Sequence, residues 1–99
     1  MEYQSDIVEN MLRNYYTLQF HDSPEFSDMF VDLMMGLKEL NKYNSVLYYT
    51  IISVFVNGTP IQDQALNDGV SPRMISYRLN DALSALTNFM NGELVYVEG

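Results

Sequence analysis

Residues 59–86, TPIQDQALNDGVSPRMISYRLNDALSAL, decide how this chain folds. Thr59-Pro60-Ile61-Gln62 has the form of a capping box with proline at the first helical position, in which the Thr hydroxyl and the Gln side chain each satisfy an orphan amide. The helix it opens is predicted to last two turns, to about Leu66 or Asn67. Asp68-Gly69-Val70 reads as a turn, and Ser71-Pro72 opens a second helix with the same cap-plus-proline device. That helix is long: Ile75, Leu79, Ala82, Leu83, Leu86 and Met90 fall on one face, and it ends near Asn91-Gly92. A two-turn helix, a short turn with glycine and a second capped helix make a helix-turn-helix arrangement. Ala65 is small where the two helices must cross, and Gly69 allows a positive φ. Val70 fills the space between the helices, and Ile75 and Leu79 anchor the second one.

Upstream, Ser45 to Val56 is apolar almost all round, which predicts a helix surrounded by others and ended by Asn57-Gly58. Before it, Val8, Met11, Leu12, Tyr15 and Leu18 recur at three and four behind Ser5 as a candidate N-cap. His21-Asp22-Ser23-Pro24 interrupts that pattern. Ser23 and Pro24 then start a further helix with the stripe Phe26, Met29, Phe30, Leu33, Leu37 and Leu40. Residues 41–45 read as a connector. The expectation is an all-α fold, a small helical bundle of about five helices in a single domain over 1–99. Within it, 1–43 forms an N-terminal helical pair, 44–92 holds the C-terminal helix-turn-helix, and 93–99 is a tail. That tail reads equally as a frayed end, a short strand or a contact with a second subunit.

Ninety-nine residues leave room for one core, and 47% apolar with 13% aromatic residues is a folding composition. With no cysteine and one histidine, disulfides, thiolate chemistry and most zinc sites are excluded. No Gly-rich phosphate loop or nucleophile motif is present, so the chain reads as a non-enzyme without cofactor or metal. His21 beside Asp22 and Glu25 reads as a solvated loop histidine, and Asp28 with Asp32 as a solvated helix face. The run Val46 to Val56 is far shorter than the ~20 residues of a membrane span. The acidic, polar start is unlike an export signal. A cytoplasmic protein away from the membrane is expected. Thirteen acidic against five basic residues give a net charge of −8, which argues against sequence-blind wrapping of nucleic acid.

Wound at 100° per residue, the last helix collects Arg73, Ser76, Tyr77, Asn80 and Ser84 opposite Ile75, with Arg78 at the boundary. Arg suits guanine, Asn suits adenine, and hydroxyls suit phosphate oxygens. Arg73, Ser76, Tyr77 and Asn80 are therefore the candidate DNA-reading residues, with Ser71 and Arg78 on phosphates. The segment Tyr49 to Leu86 resembles the promoter-reading C-terminal domain of sigma factors (their region 4), through Gly69-Val70-Ser71, Arg78-Leu79 and Ala82-Leu83. With helices placed before it, the layout is similar to phage late-transcription regulators of the ArpU/RinA type. This resemblance implies a transcription regulator whose partners are double-stranded DNA and RNA polymerase, with self-association adding phosphate contacts. It differs from those regulators in being short and in carrying only Arg73 and Arg78 as cations on the last helix. The alternative is an acidic inhibitor of the DNA-mimic, host-takeover or anti-CRISPR kind, which presents Asp22, Glu25, Asp28 and Asp32 to a basic nucleic-acid-binding protein.

Overall fold

A computed structural model describes residues 2–18 and 23–93, the side chain of Phe26 excepted, and its regular elements are all helical. In chain order these are α1 (Ser5–Arg13), α2 (Tyr15–Leu18), α3 (Pro24–Tyr43), α4 (Ser45–Ile51), a π-helical turn (Ile52–Val56), α5 (Ile61–Asp68) and α6 (Pro72–Met90). Among the described residues, six α-helices thus stand where about five were expected, because the first predicted helix is two. Asn14, at φ −107° and ψ 21°, interrupts it. Its side-chain amide donates to the Asn10 carbonyl at 2.7 Å, the local competition with helix bonding that makes Asn a poor interior residue. Ser5 lies inside the first turn of α1 instead of capping it. Gln4 holds the cap position without a side-chain bond.

The connector expected at 41–45 shrinks to one residue, since α3 continues to Tyr43. Asn44 is extended at φ −159°, and its amide donates to the Leu40 carbonyl. Its side-chain oxygen accepts from the amides of Val46 and Leu47 at 3.1 and 3.2 Å. One residue therefore ends α3 with its backbone and caps α4 with its side chain.

The apolar run 45–56 is not enclosed on every side. Val46 is 50% and Tyr49 66% exposed, while Leu47, Thr50 and Ile51 are buried. The run also changes winding part-way: the Asn57 amide reaches the Ile52 carbonyl at 2.9 Å, a bond one residue wider than an α-turn makes.

Helix α6 is the hub and packs against α1, α3, α4 and α5. Its Ile75, Leu79, Ala82 and Leu86 meet Val8 and Leu12 of α1, Leu33 and Leu40 of α3, and Ile51 of α4 in one buried cluster. The crossing of α3 over α6 is close because residue 36 is glycine. A Cβ there would lie 2.8 Å from Met90 Cγ and 2.9 Å from Leu86 Cδ1. The two ends of the chain are joined at the same end of α6. The Tyr3 amide donates to Asn91 Oδ1 at 2.7 Å, and Asn91 Nδ2 donates to the Tyr3 carbonyl at 2.9 Å. Of the tail expected at 93–99, residues 94–99 lie outside the described residues.

Candidate nucleic-acid interface

Helices α5 and α6 are joined by Gly69, Val70 and Ser71. Gly69 is left-handed at φ 67° and ψ 33°, and the Val70 amide donates to the Ala65 carbonyl at 3.0 Å. This satisfies carbonyls that the end of α5 would leave open. A side chain at 69 would be strained by that φ. Ser71 then caps α6, its Oγ accepting from the Met74 amide at 3.1 Å, with Pro72 at the first helical position. Ala65, Ile75 and Leu79 are all buried, and Val70 is half-buried against them.

The capping box expected at 59–62 does not form. Pro60, at ψ 145°, is the cap itself and makes no side-chain bond to the helix. Thr59 is drawn elsewhere: its hydroxyl lies 3.1 Å from Ser53 Oγ, and the Ser53 hydroxyl donates to the amide oxygen of Gln64. Gln64 Nε2 donates to Asp68 Oδ1 at 3.1 Å, and Arg78 donates to Asp68 Oδ2 at 3.3 Å. A single polar chain, Thr59–Ser53–Gln64–Asp68–Arg78, thereby ties the π-helical turn, α5 and α6 together. No sequence pattern marked it, since its members are separated by 4 to 11 residues on three elements.

On the outward face of α6, Arg73, Tyr77 and Asn80 are exposed and Ser76 is half-buried. The Arg73 guanidinium lies 6.0 Å from the Tyr77 ring centre, at the outer limit of a cation–π contact. Arg78 does not share the freedom of Arg73. It is half-buried and its charge is matched by Asp68. Ser71 already uses its hydroxyl oxygen as the cap acceptor, which leaves its O–H able to donate. The face thus offers one open cation, one exposed ring and an exposed amide, flanked by the exposed Met74 and Asp81.

The acidic set is less regular than the sequence suggests. Glu25 and Asp28 are exposed on the first turns of α3, whereas Asp32 is half-buried and accepts a hydrogen bond from the Tyr3 hydroxyl at 2.6 Å. Asp22, like His21, lies outside the described residues. Tyr3, Glu25, Asp28, Met29 and Asp32 line an open cleft. Burial of Tyr3, to 4% exposure, pushes its phenol above the usual tyrosine range. The hydrogen bond and charge of Asp32 and the charge of Asp28 push it further the same way. Sequence reasoning missed Tyr3 because nothing local distinguishes it from the other seven tyrosines.

Among the described residues, no three His, Cys, Asp or Glu side chains gather as a metal site. No helix among them is long and apolar enough to cross a membrane. Comparison with known protein families, with curated proteins and with solved structures finds no match for this chain.

Proposed function

We propose that this chain is a transcription regulator, of the phage or mobile-element kind, that reads duplex DNA with α6 and works beside RNA polymerase. The observation that carries the reading is the capped α5–Gly69–α6 unit with Arg73, Tyr77 and Asn80 exposed on the outward face of α6. Arg73 is suited to the acceptor edge of guanine, Asn80 to adenine, and the Ser76 and Ser71 hydroxyls to phosphate oxygens. With Arg78 engaged by Asp68, affinity comes from few cations, so specific contacts matter more here than counterion release.

That charge pattern fixes the expected measurement. The logarithm of affinity should fall with the logarithm of salt at a slope no steeper than about −1 per chain, since each neutralised phosphate contributes about −0.9 and Arg73 is the one open cation on the face. Selection from a random duplex library at low salt should enrich one motif. Asp68→Asn should release Arg78 and steepen the slope by about one. Failure to enrich any duplex at low salt contradicts the reading.

The second reading, an acidic binder of a basic protein groove, draws on Glu25 and Asp28, exposed one turn apart at the start of α3. Their charges would steer a basic partner over a Debye length of about 8 Å.

A further inference from the structure

The outer face of α3 is written as its own complement. Winding at 100° per residue puts Pro24, Ser27, Asp28, Val31, Met34, Met35, Lys38 and Lys42 along one side. All eight are exposed, with Val31 at 50%, Met34 at 49% and Met35 at 64%. The opposite side of α3 is occupied by the core, through Leu33, Gly36, Leu37 and Leu40. Three large apolar side chains in a row on an exposed face mark an interaction surface more than a solvated one, and two adjacent methionines adapt readily to a partner.

The charges at either end say which partner. Asp28 precedes the apolar patch by three residues and Lys38 follows it by three, so they are symmetric about residue 33. That residue is close to the midpoint of α3 (Pro24–Tyr43). A twofold axis there would lay α3 antiparallel against a second α3 along nearly its whole length of about 30 Å. Val31 would face Met35 of the second copy, the two Met34 side chains would meet near the axis, and Asp28 would face Lys38 at both ends. Neither Asp28 nor Lys38 enters an ion pair among the described residues. Lys42 is held within its own chain by Glu39 at 3.5 Å. An isologous contact needs a patch complementary to itself, and this one is.

We infer that the outer face of α3 is a homodimer interface, closed by Val31, Met34 and Met35 and set in register by Asp28 against Lys38 of the second copy. This does not rest on α6 meeting DNA. Gly36, on the other side of α3, sits against the last turns of α6, so the contact leaves Arg73, Tyr77 and Asn80 uncovered.

Sedimentation equilibrium of the full chain at 10 to 500 μM should show a mass rising toward twice the 11.5 kDa of one chain. Met35→Glu should keep the chain monomeric, with unchanged helix content because Met35 touches little of its own core. Asp28→Lys or Lys38→Glu alone turns two attractive contacts per dimer into repulsive ones and should weaken association about tenfold. The two together should restore it. Residues 28 and 38 lie about 15 Å apart on one helix, so no compensation within a chain mimics that rescue. A mass of one chain at every concentration overturns the proposal. So does a dimer indifferent to the swaps, which would put another surface or the segment 94–99 at the interface.

Discussion

Gly36→Leu is expected to destabilise the fold by about 1–3 kcal/mol, the usual cost of forcing extra carbon into a packed crossing. For a chain of this size that lowers the melting temperature by roughly 10 °C. The reason is local. The first added carbon already meets Met90 Cγ at 2.8 Å and Leu86 Cδ1 at 2.9 Å, and Leu86 is fully buried. Gly36→Ala is the control. It needs those two side chains to shift, but alanine in a helix interior gains about 1 kcal/mol over glycine, so the two effects nearly cancel. Thermal melts of both variants by circular dichroism check this. A leucine variant melting with wild type would mean that α3 and α6 do not cross at residue 36.

Stability should also fall steeply in alkali, because the Tyr3 phenol ionises at higher pH in the folded chain than in the unfolded one. Above the ordinary tyrosine value of ~10 the unfolded chain has released that proton while the folded chain keeps it. The contribution of Tyr3 is therefore complete below pH ~10 and is lost at about 1.4 kcal/mol per pH unit above it, until the folded phenol also ionises. Tyr3→Phe should remove this part of the slope. At neutral pH it should cost about 1.5–3 kcal/mol for the lost bond to the Asp32 carboxylate. Urea melts of both proteins between pH 8 and 11 measure it, and parallel curves would contradict the burial of Tyr3 against Asp32.

Much of the frame was legible because the signals are local. Ser71-Pro72 is a helix-start signal that needs no distant partner, the residue that must turn left-handed at 69 is glycine, and the stripe from Ile75 to Leu86 shows its period without help. What escaped is set by partners distant in sequence. The clamp between Tyr3 and Asn91 spans 88 residues, and a lone glycine in a helical pattern says nothing of what crosses it. The capping box failed because Ser53, placed by the π-helical turn, competes for Thr59. That turn has no signature of its own in ISVFV. The exposed side of 45–56 was hidden by composition: Val46 and Tyr49 are apolar by type, and apolar type alone does not place a residue inside. In the candidate interface, the residue types on the α6 face were readable, but the capture of Arg78 by Asp68 across the turn was not.

On the proposed reading, the working surface is the outward face of α6. One binding assay on the selected duplex, run at protein concentrations below those at which α3 pairs with a second copy, decides this by comparing wild type, Arg73→Ala and the double variant Glu25→Gln with Asp28→Asn. Both Glu25 and Asp28 are exposed, so the double variant leaves the bond between Tyr3 and Asp32 in place. Arg73→Ala is expected to lose about 1–3 kcal/mol of affinity, while the acidic double variant binds DNA as well as wild type or better. Unchanged DNA affinity in Arg73→Ala would contradict that reading.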